Sequence, residues 1–184
     1  QHRRIVEATR LLLASNDVDS IRVADIADGA GCSTATIHNH FPNALPDILA
    51  AISEDIIQAA FKQFEKISKD FSGIELVRSY FKTVGEHISE QADVAVPSIA
   101  ISVDLASQGS WFDRKIFSDC KELFKTAKET EQINGSHDQL ASLTHTFFQG
   151  ALYSWALGSI TSEEFLRMST ESVDFAVSSC RGAA

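Results

Sequence analysis

Residues 23–41, reading VADIADGAGCSTATIHNHF, constrain the fold more tightly than any other part of the chain. Ile26, Ala27 and Ala30 recur at helical spacing and predict a short helix with one buried face. Gly31 then supplies the left-handed conformation in which helices commonly end. Ser33 is a favourable N-cap, because its hydroxyl accepts a backbone N–H that the first helical turn leaves unpaired. In the helix it opens, Ile37 and Phe41 stand four apart and must turn inward together. Ala35, Thr36 and Asn39 point away from that face, with Thr34 and His38 on its flank. Two short helices, a glycine turn and a small, polar outer face describe a helix-turn-helix, whose second helix enters the DNA major groove. The plainer explanation of the same spacing is a small three-helix core with no nucleic acid involved.

The run GCSTATIHNHFPN resembles the recognition helix of TetR-family transcriptional regulators, whose pattern is roughly Gly-Val-Ser-x-Gly-Thr-Leu-Tyr-x-His-Phe. VADIADGAG resembles the helix that precedes it. Ile26, Ala27, Ala30, Gly31, Ser33, Thr36, His40 and Phe41 agree in order, and the likeness covers about the first fifty residues. It implies a three-helix DNA-binding domain at 1–45 and a helical effector-binding and dimerisation domain at 46–184. The function implied is that of a cytoplasmic homodimeric regulator on a palindromic operator, a repressor released by a small apolar effector. Carried over onto this sequence, the DNA contacts are Arg22, Ser33, Thr34, Ala35, Thr36, His38, Asn39, His40 and Asn43.

Three positions depart from the family pattern. His38 stands where a Tyr is usual, and Arg22 where a Ser or Thr often caps the helix. The Lys usual near Ala44 is missing, and the first Lys of the chain is Lys62. Residues 1–50 carry four Arg against six acidic residues, and the remainder 12 basic against 19 acidic, within a net charge of −9. The DNA-facing part is thus the less acidic one without being basic, which weakens the electrostatic attraction that normally dominates DNA affinity. These features favour the alternative, a small-molecule-binding or scaffold protein of the same fold with weakened or lost DNA binding. The chain begins at Gln1, and Arg3 and Arg4 are the expected tail of a basic arm.

At 184 residues, 44% of them hydrophobic, the chain is long enough to bury a real core. No segment reads as a pair of strands, so the expected fold is all-α. Helices are expected at about 2–14, 46–69, 73–90, 111–133, 138–157 and from 161 on. Pro97 is expected to open another that runs through Leu105, and 107–110 to form a loop. Thr161 and Glu164 have capping-box spacing. The last two helices carry wide apolar stripes, including Trp155 and Val173, in the region where the family dimerises.

Of the 16 aromatic residues, 15 lie after residue 50. Phe64, Phe81, Phe117, Phe124 and Phe148, with His145 among the few polar groups, are the expected lining of an apolar effector chamber. Ordinary core packing explains the same aromatic residues without a ligand. GxSxG, Walker, GxGxxG and HExxH motifs are absent, so neither enzymatic activity nor a cofactor is expected. His38 and His40 diverge on a helix and do not make a metal pair. Cys32, Cys120 and Cys180 are odd in number and widely spaced, which suggests reduced thiols rather than a disulfide framework. No stretch reaches the roughly eighteen apolar residues that a membrane span needs.

Overall fold

Helix after helix begins and ends at punctuation that the chain itself supplies. The computed structural model describes residues 1–104 and 111–180. The helices are α1 (His2–Leu13), α2 (Val23–Ala30), α3 (Thr34–His40), α4 (Leu45–Ile67), α5 (Gly73–Ser89), α6 (Ala92–Asp104), α7 (Trp111–Thr130), α8 (His137–Ala156) and α9 (Ser162–Ser179). Short 3-10 turns occupy Val18–Ser20 and Ser68–Asp70, and no strand occurs among the described residues. The fold is all-α, as the sequence predicts.

The first three helices form a small head around Ile5, Val6, Ile26, Ala27, Ala30, Ile37 and Phe41, all buried. Gly29 lets α1 and α2 approach closely, since a methyl group there would lie 3.3 Å from the Ala8 side chain. Gly31 ends α2 at φ 59°, and the Cys32 N–H returns to the Ala27 carbonyl at 2.9 Å. The seven-residue α3 is too short to persist alone. It is held by Ile37, fully buried, and by Phe41 just beyond its end.

The long helix α4 belongs to both halves. Its first turns carry Ile48, Leu49 and Ile52, and it packs against α1. Further along, Ile56, Ile57, Ala60 and Phe61 belong to the part that packs against α5, α6 and α7. In the body, α8 contacts α7 and α9, and α9 also lies along α5. A row of rings fills this core: Phe81 to Phe148 at 5.1 Å between centroids, Phe148 to Phe165 at 5.9 Å, Phe165 to Trp155 at 5.1 Å. Burying each such side chain is worth about 1.5–3 kcal/mol.

Two expectations need correction. α6 begins at Ala92, five residues before Pro97, which lies inside it. Its first turn forms because the Gln91 carbonyl accepts the Val94 and Ala95 N–H groups, at 3.0 and 2.8 Å. Pro97 then removes its own bond back to Asp93 and crowds that carbonyl, a local cost, while Val94, Ala95 and Ile99 anchor the helix by burial. Leu105 and the loop expected at 107–110 lie outside the described residues. The second correction concerns α8 and α9. Trp155 is 6% exposed and Val173 is fully buried within the single chain, so neither belongs to a free face. In this region the large apolar groups that do reach solvent are Leu157, at 76%, and Phe175, at 45%, with the half-buried Phe147 ring 5.1 Å from Phe175.

The capping box forms as its spacing predicts. Thr161 accepts the Glu164 N–H at 3.2 Å, and Glu164 accepts the Thr161 N–H at 2.8 Å. The Thr161 N–H and the Thr161 hydroxyl, both donating to its carboxylate, hold the Glu164 carboxyl below the usual range. Among the described residues no helix is long and apolar enough to cross a membrane.

Candidate functional site

α3 presents its outer face because its inner one is spoken for. Ser33 caps the helix, accepting the Thr36 N–H at 3.2 Å, and its hydroxyl lies 2.9 Å from that of Thr36. Thr36 is thereby half-buried and tied to the cap, whereas Thr34, Ala35, His38, Asn39 and His40 are exposed. No fold-stabilising partner occupies the Asn39 amide among the described residues. The His38 imidazole lies 3.5 Å from the Pro42 carbonyl, a long contact. His40 meets the edge of His2, whose ring lies 4.5 Å from Phe41.

Arg22 stands at the N-cap of α2 but cannot cap it through its side chain, which is a donor only. Asp25 does half of the capping instead, accepting the Arg22 backbone N–H at 2.9 Å. The exposed guanidinium remains available to a phosphate. Arg4 lies over Gly31, where an added side chain would sit 2.7 Å from the guanidinium. Asn43 is placed differently. Its backbone N–H donates to Asp47 at 2.8 Å and its side-chain amide at 3.1 Å, so an approaching phosphate meets a carboxylate at the same spot.

The aromatic residues divide. Phe81, Phe124 and Phe148 are closed into packed core. Phe117 is half-buried, its ring 5.6 Å from His145. Phe64 alone of the six expected lining residues reaches the cleft of about 430 Å³ between α4, α5 and α7. Phe61, Tyr80 and Leu123 complete its apolar floor, and Lys62, Glu65, Lys115, Asp119 and Glu122 bring charge to it. The Tyr80 hydroxyl donates to Asp119 at 3.1 Å. Lys115 pairs with the other Asp119 oxygen and sits 4.9 Å from the centre of the Phe61 ring.

Burial, followed by the Asp119 charge, pushes the Tyr80 hydroxyl far up, so it stays a donor. The same two causes raise the Cys120 thiol, which is fully buried and remains protonated. A second crevice, lined by Ser53, Ile56, Ile57, Ile88, Ala95 and Ile99, offers about 20 Å³, room for no more than a water. No group of three or more His, Cys, Asp or Glu placed to hold a metal occurs among the described residues.

Sequence reasoning missed Phe61, Tyr80, Lys115 and Asp119. The signals were there in part: Phe61 and Phe64 are three apart on α4, and Lys115 and Asp119 four apart on α7. What brings the two helices together is tertiary.

A short capped helix packed on two others in a three-helix head, carried by a longer helical body, is the helix-turn-helix arrangement. Residues 5–43 match the sequence model for bacterial regulatory proteins of the tetR family. Solved structures share the fold over nearly the whole chain. A TetR transcriptional regulator from Rhodococcus sp. RHA1 superposes with a TM-score of 0.73 at 15% identity, covering 96% of this chain and 94% of that one. A TetR-family regulator from Syntrophomonas wolfei gives 0.71 at 18% identity, with 96% and 94% covered. FadR of Thermus thermophilus, a TetR-family repressor solved with lauroyl-CoA, gives 0.70 at 15% identity, with 94% and 93% covered. No curated protein matches the chain in sequence.

Proposed function

We propose that the protein is a ligand-responsive, DNA-binding transcriptional regulator that acts as a homodimer in the compartment holding the DNA. The observation that carries this reading is α3. Its inner face is fully used in packing, while Thr34, Ala35, His38 and Asn39 are exposed on the outer side of a capped helix. Arg3, Arg4 and Arg22 add positive charge at neighbouring exposed positions of the head. Two such heads on a two-fold axis meet successive major grooves about 34–36 Å apart and select a palindrome.

The body supplies the regulation. Arg10 of α1 donates to Gln91 at the α5–α6 corner, at 2.9 Å, and to the Ile52 carbonyl of α4, at 3.4 Å. The head is therefore tied both to α4 and to the α5–α6 corner. A small, largely apolar effector with one polar end shifts α4, changes the spacing of the two heads and releases the operator. The repressor FadR, similar in fold and solved with lauroyl-CoA, supports a ligand-binding body of this kind.

The Asp47 carboxylate on Asn43 favours a second reading, a ligand-binding protein of this fold with weakened DNA affinity. Selection of duplexes from a random library by the purified protein separates the two. Enrichment of one palindrome supports the regulator, and retention of the input distribution supports the second reading.

A further inference from the structure

We infer that the cleft between α4, α5 and α7 takes an organic monocation with an apolar or aromatic body, its charge seated between the Phe61 face and the Asp119 carboxylate. This rests on the reading of the body as the effector-binding part and names the chemistry of that effector. The cleft already holds a cation of the chain's own. Lys115 places its ammonium over the Phe61 ring and against Asp119, whose second oxygen is fixed by Tyr80. An aromatic face opposite a hydrogen-bonded carboxylate is an arrangement that favours positive charge from both sides.

The rest of the lining agrees. Three carboxylates, Glu65, Asp119 and Glu122, face two ammonium groups, Lys62 and Lys115. An anion seeking Lys115 meets Asp119 beside it, and the lysine's charge is already compensated there. A cation meets no such obstacle once Lys115 leaves. That side chain is 40% exposed, and its four-carbon stem can carry the ammonium into water. Phe64, Tyr80 and Leu123 then cover the apolar body of the ligand, in a volume within the range of small-molecule sites.

Lys115 is in this reading a built-in competitor, which gives the test its sign. Benzyltrimethylammonium and 3-phenylpropanoate are titrated separately into the full chain by calorimetry, without DNA. Saturable binding of the cation at one site per chain is expected, with the carboxylate at least about tenfold weaker. Lys115→Met removes the competitor and keeps the stem, so it should strengthen cation binding, whereas Asp119→Asn should weaken it about tenfold. If Asp119→Asn does not fold, as judged by its thermal transition, Lys115→Met decides alone. Failure of the cation to bind either the wild type or Lys115→Met overturns the inference. So does preferential binding of 3-phenylpropanoate that Lys115→Met abolishes. Repeating the titration with saturating selected duplex addresses regulation separately: cation affinity unchanged by DNA leaves the site standing and removes its role in operator release.

Discussion

Ala44 holds a backbone conformation, φ 53° and ψ −118°, that suits glycine far better than an L-residue. It does so at the entrance to α4, between α3 and the body. Ala44→Gly should therefore raise stability by about 1 kcal/mol, read as a higher midpoint in urea; an unchanged or lower midpoint would show that the buried methyl outweighs the strain. The adjacent Asn43–Asp47 bonds form within this same turn, which is why Asn43 reads from sequence as a free DNA contact and is held by a carboxylate in the folded chain. Titration at single residues has a clear sign at Glu164. Its folded pKa is lowered by the Thr161 backbone and hydroxyl, so its contribution is complete above the unfolded carboxyl range. That contribution disappears as pH falls through the lowered value. Thermal midpoints of wild type and Glu164→Gln should differ at neutral pH and converge in strong acid; a constant gap would show that the capping carboxylate is not the source.

Elements were legible where they are closed by local chemistry. Gly31, Ser33 and Thr161 mark helix ends in sequence and mark them again in the fold, because a cap is settled within four residues. Pro97 misled for the opposite reason. A proline tolerates a helix already nucleated ahead of it, and the nucleating contacts, Gln91 to Val94 and Ala95, carry no sequence signature. Contacts between elements were less legible still. Arg10 reads as one more surface charge on α1, yet it reaches Gln91, 81 residues away, and the backbone of α4. Arg10→Ala should lower stability by about 1–3 kcal/mol through these charge-assisted bonds. It should also speed hydrogen exchange in α1 more than in α8. Uniform protection in both helices would mean that the head is held by its apolar core alone.

For the molecule as a whole, aromatic content divides at the place where α4 passes from head to body, with 15 of 16 aromatic residues after residue 50. Aromatic residues at helical spacing could not say whether they enclose a chamber or fill a core, because that depends on how four helices meet; Phe81, Phe124 and Phe148 fill, while Phe64 lines. Assembly follows the same logic. The stripe that looks like an interface in sequence includes Trp155 and Val173, which the single chain buries for itself. Phe175 and Leu157 are left outside, so Phe175→Glu should yield a folded monomer in ultracentrifugation, while Trp155→Glu should lower the thermal midpoint. A folded dimer that survives Phe175→Glu and Leu157→Glu together would place the interface elsewhere. DNA recognition by α3 is tested most directly on the selected palindrome and a scrambled duplex, by fluorescence anisotropy at two salt concentrations. Asn39→Ala is expected to lose about 1–3 kcal/mol on the palindrome alone, and Arg22→Ala to weaken both duplexes alike with a shallower salt dependence. Wild-type affinity on both duplexes for both variants would contradict the assignment of α3 and its flanking arginine as the DNA-reading surface.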